Sequence, residues 1–161
     1  VSGTKLVSKS TGQPVQLHGM SLFWSIYSEG IPYWNATAIQ LIKCKWNSNV
    51  VRAAMGVEDG GWLTDPNTQY SRLKTVIDAA ISLGIYVIVD WHVSTTYQSQ
   101  AVAFFKNISS TYGSYPNIIY ETYNEPLAIS WTDVLVPYHK AVIAAIRAND
   151  ANNVIVCGTP T

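Results

Sequence analysis

Short β-branched runs alternate with helical patterns along this sequence, and that alternation predicts an α/β fold built of parallel βαβ units. Two observations carry the expectation. Most strand runs are nearly continuous apolar stretches, as in strands covered on both faces. The segments between them repeat apolar residues close to every 3.6 positions. Five strands and four helices are expected, so an open doubly wound sheet competes with a closed eight-stranded barrel. The first strand-to-helix turn speaks against a nucleotide-binding sheet. It has neither G-x-G-x-x-G nor G-x-x-x-x-G-K-[ST], and residues 21–33 are instead long and aromatic.

The elements follow in order. Residues 4–18 read as a β-hairpin, with Lys5-Leu6-Val7 and Val15-Gln16-Leu17 joined by a polar turn containing Gly12. The first strand of the repeat is expected at 17–23. A helix at 34–46 carries Ile39, Ile42 and Trp46, and a strand at 49–54 (NVVRAA) follows it. The helix at 70–83 places Leu73, Val76, Ile77, Ala80 and Ile81 on one face, before a strand at 85–89 (IYVIV). A helix at 100–112 (Val102, Phe105, Ile108, Tyr112) leads to a strand at 117–123 (NIIYETY). The last helix, 131–148, carries Leu135, Tyr138, Val142 and Ile146 and precedes a strand at 153–157 (NVIVC). Gly84 and Gly113 fall where helix C-cap glycines belong.

Composition narrows the partners. Charged residues are only 12% of the chain and the net charge is zero, which leaves no basic footprint for nucleic acid or an anionic membrane surface. No run approaches the ~20 apolar residues of a membrane span. Aromatics also reach 12%, with Trp and Tyr far ahead of Phe. Such rings can fill a core, or stack on a sugar face while their NH or OH takes a hydrogen bond. The sequence begins at Val1 without a methionine or a signal peptide, as a mature or trimmed product would. Asn35-Ala-Thr37 and Asn107-Ile-Ser109 are glycosylation acceptors in an exported protein. Cys44 and Cys157 are too few for a disulfide scaffold and have no metal-ligand spacing.

Polar residues cluster at the carboxyl ends of the expected strands: Arg52 on the second, Asp90-Trp91-His92 on the third, Asn124-Glu125-Pro126 on the fourth. In a barrel that rim carries the active site. Glu125 follows a largely apolar strand and precedes a proline that fixes the turn. Partial desolvation there is expected to raise its pKa toward what a general acid needs. Asn124 can donate to a sugar hydroxyl, and Arg52 and His92 can orient neighbouring carboxylates. Glycoside hydrolysis needs two carboxyl groups, about 5–5.5 Å apart for retention or about 6.5–9.5 Å for inversion. Glu121 is expected roughly 13 Å down the strand from Glu125, pointing into the interior. Asp90 is expected to be a structural hydrogen-bond acceptor, so no partner for Glu125 is evident.

Residues 50–53 (VVRA), 84–92 (GIYVIVDWH), 117–126 (NIIYETYNEP), 137–150 (PYHKAVIAAIRAND) and the closing Gly158-Thr159-Pro160-Thr161 together resemble glycoside hydrolase family 5, and within it the endo-β-1,4-glucanases. The resemblance runs through essentially the whole chain in order. N-E-P alone is widespread among barrel hydrolases, whereas N-E-P with D-W-H and V-V-R-A at these spacings is specific.

The resemblance implies a (β/α)₈ barrel, seen here as about its first five strands and four helices, and a retaining hydrolase of β-1,4-glucan that needs no metal or organic cofactor. It assigns Glu125 as acid/base and Asn124 as its companion, with Arg52 and His92 lining the site. Trp24 resembles an aromatic platform for a glucosyl unit, and Tyr123 is expected either to line the cleft or simply to pack. His18 falls near a rim position with no role assigned. Where the family commonly carries an aromatic after R-A-A-M this chain has Gly56, and Trp62 is expected to substitute. Family members resembling this one run to about 300 residues, within the range of such barrels, and take their nucleophilic glutamate from the seventh strand. That residue is therefore expected beyond Thr161, with these residues as a fragment of a secreted, monomeric parent enzyme. β-Mannanase or another β-glycanase, and a non-catalytic glycan-binding fragment, are the alternatives.

Overall fold

Five parallel strands pair in simple sequential order, β1-β2-β3-β4-β5, and four helices fill the crossovers. The structure, a computed structural model, describes residues 1–160; Thr161, the last residue of the Gly158–Thr161 motif, lies outside them. The strands are β1 (Gly19–Ser21), β2 (Val50–Gly56), β3 (Tyr86–His92), β4 (Ile118–Glu121) and β5 (Val154–Val156). The helices are α1 (Ala36–Trp46), α2 (Pro66–Leu83), α3 (Gln98–Tyr112) and α4 (Val136–Arg147). A sequential all-parallel order is that of a barrel wall rather than a doubly wound sheet, whose strand order reverses at a switch point.

Local chemistry sets the helix ends. Asn35 caps α1 by accepting the Ala38 N–H at 3.0 Å. Asp65 does the same for Thr68 at 3.1 Å, and Pro66 starts α2, four residues earlier than the apolar pattern suggests. Gly84 closes α2 in the left-handed region at φ +67°, as a C-cap glycine should. Gly113 sits at the end of α3 for another reason. Its φ is −62°, but an added Cβ would lie 2.4 Å from the Ser109 carbonyl oxygen and 2.8 Å from Asp150 Cβ. The helix expected over 131–148 is divided: Trp131–Leu135 forms a π-helical turn and α4 begins at Val136. Pro137 has no N–H to donate back into the preceding turn, and it fits the first turn of a new helix.

The hairpin expected at 4–18 shrinks to isolated bridges, Ser2 with Lys5 and Val7 with Pro14. Lys5, Val15 and Gln16 are exposed and Leu6, Val7 and Leu17 only partly covered, so little apolar burial supports a longer ladder.

The core lies between the sheet and its helices. Val51, Ala53 and Met55 of β2, Val87, Val89 and Trp91 of β3, and Tyr120 of β4 are fully buried against Ile77, Phe104, Phe105 and Val142 from the helices. Each large side chain of this kind contributes about 1.5–3 kcal/mol. The opposite face of the strands carries the polar residues. No helix of the described residues is long and apolar enough to cross a membrane.

Candidate active site

Strand register brings the charges together. Residues two apart on a strand share a face, so Arg52 lies on the face of Ala54. Ala54 is registered with Asp90, and Asp90 with Glu121. One cation and two carboxylates from three adjacent strands therefore meet on the face turned away from the helices. The Arg52 guanidinium donates from Nε to Glu121 Oε2 at 2.7 Å and from Nη2 to Glu121 Oε1 at 2.8 Å. Nη2 also lies 2.8 Å from Asp90 Oδ2 and 2.8 Å from the Asn124 side-chain oxygen. Burial alone would lower the Arg52 pKa, but the hydrogen bond to Glu121 and the fields of Asp90, Glu121 and Glu125 outweigh it and raise the group above its ordinary value.

Asp90 is fully buried; beside its ion pair with Arg52, Oδ2 lies 2.6 Å from His92 Nδ1, while Oδ1 has no partner among the described residues. Burial and the charge of Glu121 push its carboxyl up to about 6, against the lowering effect of His92 and Arg52. With Nδ1 committed to the carboxylate, Nε2 is the free nitrogen of the His92 ring, and it is buried without a partner among the described residues.

Trp24 packs against this imidazole, ring centroids 4.2 Å apart and planes at 63°, and lies 5.4 Å from Tyr27. It is held by its neighbour Ser25, which is fully buried. The Ser25 hydroxyl donates to Gln69 at 2.6 Å and accepts the Gly56 N–H at 2.9 Å, while Arg72 donates to its carbonyl at 2.6 Å. These bonds tie the β1–α1 loop to the end of β2 and to α2. Gly56, where the family it resembles commonly carries an aromatic, has Ile26 against it: a Cβ there would approach the Ile26 side chain to 2.7 Å.

Several expectations need correction. Arg52 does not close its strand; β2 continues to Gly56, and Arg52 reaches the rim through its length from the third strand position. β4 ends at Glu121 instead of 123, so the backbone turns and Asn124 comes onto the same guanidinium as Glu121. Glu125 is exposed, with its N–H on the Val93 carbonyl at 3.3 Å, and the partial desolvation expected of it is not seen. Tyr123 is fully buried against Tyr138 at 5.2 Å and does not present a surface to a ligand. Trp62 packs on Trp91 and Phe104 and is not among the residues that line the cleft of Trp24 and His92. His18 lies at the other end of the strands, where its ring bonds the Asn47 carbonyl at 2.9 Å just before β2. Cys44 and Cys157 are free thiols.

Glu58 was not singled out from the sequence. It lines a small cleft with Trp24, His92 and Ser94, two residues past the end of β2. Its carboxylate accepts the Ser94 N–H at 3.4 Å and, with burial, raises the pKa of Tyr97, while burial, Glu58 and Tyr97 push Tyr123 up to about 12. Its position just beyond a strand end is the signal the sequence offers, hidden because the strand pattern ends at residue 54 while β2 runs on to Gly56. Among the described residues no group of three or more His, Cys, Asp or Glu is placed to hold a metal ion.

A parallel βα repeat with Arg, His, Asn and Glu side chains gathered at its strand ends has the build of a (β/α)₈-barrel protein, whose active sites lie at that rim. The chain belongs to glycosyl hydrolase family 5: the profile described as cellulase (glycosyl hydrolase family 5) matches residues 8–161. It is 42% identical over 165 residues to endoglucanase Z of Dickeya dadantii, covering all of this chain and 38% of that protein. It is 39% identical to an endoglucanase of Clostridium saccharobutylicum, covering 100% of this chain and 37% of that one. A solved structure from Cytophaga hutchinsonii superposes with TM-score 0.96 at 44% identity, over 100% of this chain and 53% of the other. The endoglucanase catalytic domain of Thermobifida fusca, solved in one form with cellotetraose, gives TM-score 0.91 at 32% identity over 100% and 53%. The chain thus spans less than two fifths of the curated relatives it matches and about half of the solved ones.

Proposed function

We propose that the protein is a secreted endo-β-1,4-glucanase that works by double displacement with Glu125 as acid/base. The observation that carries this reading is the shared guanidinium. Arg52 holds Asn124 beside Glu125 while also binding Asp90, the carboxylate that orients His92. An exposed carboxyl group thus stands in sequence directly after an asparagine held by that array of donors. The family and the endoglucanase names of its relatives support β-glucan as the substrate.

In the first step a carboxylate nucleophile, supplied from outside these residues, attacks the anomeric carbon. The glycosidic C–O bond breaks, and Glu125 gives its proton to the departing oxygen. In the second, Glu125 takes a proton from water as that water displaces the enzyme carboxylate, releasing a new reducing end. Asn124 donates to a hydroxyl of the bound sugar, Trp24 stacks on a glucosyl ring, and no metal or organic cofactor takes part.

The test is reducing-end release from carboxymethylcellulose by the intact protein and by Glu125→Gln. Loss of general acid catalysis should lower kcat by about 10²–10⁴-fold without loss of fold. A folded Glu125→Gln protein of undiminished activity would overturn the assignment. Faster cleavage of mannan than of glucan would overturn the substrate.

A further inference from the structure

We propose that a groove on the outer wall, between the start of α2 and the N-terminal half of α3, is a second saccharide site that holds a single β-glucan chain. The groove has a volume of about 520 Å³, within the range of small-ligand sites. Its apolar surface comes from Trp62, Tyr70, Pro66 and Ala103 over a floor of buried Phe104, and its polar surface from the side-chain amides of Asn67, Gln100 and Asn107. None of the lining residues is charged.

That combination selects for a class of ligand. A phosphate, a nucleic acid or an acidic peptide would bring charge with nothing to compensate it. A purely apolar ligand would strip water from three amides and give them no partners. A neutral polyhydroxylated ring meets both halves, since its axial C–H face lies on an aromatic ring while its hydroxyls both donate to and accept from amides. Edge-on packing on Phe104 (5.0 Å, 78°) and Trp91 (6.0 Å, 66°) holds Trp62 rigidly, so a ligand need not order it.

Position favours a polymer over a free sugar. Both helices begin just after the carboxyl ends of β2 and β3, so their first turns lie on the same side of the barrel as Glu58 and His92. The Trp62 N–H bonds the carbonyl of Gly56, the last residue of β2, at 3.0 Å. Trp91, which backs Trp62, is the residue between Asp90 and His92. A long chain held on the outer wall would be kept close to the cleft without occupying it. The choice of β-glucan as occupant rests on the function proposed above.

The test is affinity electrophoresis of the protein, free of any glycan at Asn107, through gels containing soluble hydroxyethylcellulose. Asn67→Ala/Gln100→Ala and Tyr70→Ala are compared with the parent, and cellotetraose hydrolysis is measured alongside. Losing two amide contacts should weaken retardation by about threefold to tenfold, while kcat/KM on cellotetraose stays within about twofold. Unchanged retardation in both variants, or no retardation of the parent, overturns the groove. If both variants lose cellotetraose hydrolysis along with retardation, the groove is not separate from the cleft and the proposal also fails. Groove-dependent retardation of a protein that hydrolyses no glucan would sustain this site and sink the proposed activity instead.

Discussion

Arg52 grips Glu121 through two parallel hydrogen bonds, 2.7 Å from Nε and 2.8 Å from Nη2, across the strand that lies between them. The intervening strand supplies Asp90, which takes the same Nη2 at 2.8 Å. One guanidinium thus neutralises two carboxylates and still reaches Asn124. A lysine has no such fork, because its ammonium is a single point of charge that cannot meet a carboxylate through two fixed donors.

Arg52→Ala leaves Asp90 and Glu121 facing each other with no cation between them. Breaking a buried pair in this way costs about 3–5 kcal/mol, and urea unfolding of the variant should show a loss of that size. Arg52→Lys should recover part of the stability but little of the activity, since Asn124 would no longer be aimed. A loss below about 1 kcal/mol in the alanine variant would mean that water already screens the cluster.

Asp90 makes a second prediction, with a definite sign. Burial and Glu121 raise its pKa to about 6 in the folded chain, against about 3.9 when unfolded. Between those values the folded state binds more protons, so stability falls as pH rises from about 4 to about 6. The stability difference between the parent and Asp90→Asn, followed by urea unfolding across that window, should carry this slope. A flat difference curve would show that Arg52 and His92 fully offset burial.

Much of this was legible beforehand because periodicity and punctuation are local. The strand-helix alternation, the capping Gly84 and the inward-pointing Glu121 all follow from pattern. What escaped depends on contacts between distant residues. The register from Ala54 to Asp90 to Glu121 places Arg52 in a three-strand cluster, and no window of sequence contains that relation. Glu58 was passed over because the strand before it runs two residues further than its β-branched core. Tyr123 and Trp62 look alike in sequence as candidate sugar contacts. Only packing against Tyr138 in one case, and against Phe104 and Trp91 in the other, separates them from Trp24.

Asp150 should behave oppositely to Asp90. It is buried in the turn between α4 and β5, where Oδ1 accepts the N–H groups of Asn152 and Asn153 at 2.9 and 3.0 Å and Oδ2 accepts the Tyr120 hydroxyl at 2.8 Å. Burial raises its pKa, but these hydrogen bonds outweigh that and leave it below the ordinary carboxylate value. Its contribution is therefore present above about pH 4 and is lost as pH falls through the lower folded value. Asp150→Asn should cost about 1–3 kcal/mol at neutral pH, and the cost should shrink in acid. A penalty that grew on acidification would reverse the assignment.

Trp24 divides binding from chemistry. Its ring lies 4.2 Å from the His92 imidazole and lines the cleft with Glu58, whereas Glu125 is the proton donor proposed above. Trp24→Ala removes a stacking surface used equally by bound substrate and transition state, so it should raise KM more than it lowers kcat. A tenfold rise in KM for cello-oligosaccharides, about 1.4 kcal/mol, is expected, with Trp24→Phe recovering most of it. Because Ser25 and its bonds to Gln69, Gly56 and Arg72 hold the loop independently, the alanine variant should keep its fold. Steady-state kinetics decide the matter: a fall in kcat at constant KM would place Trp24 in support of His92 and not under the sugar.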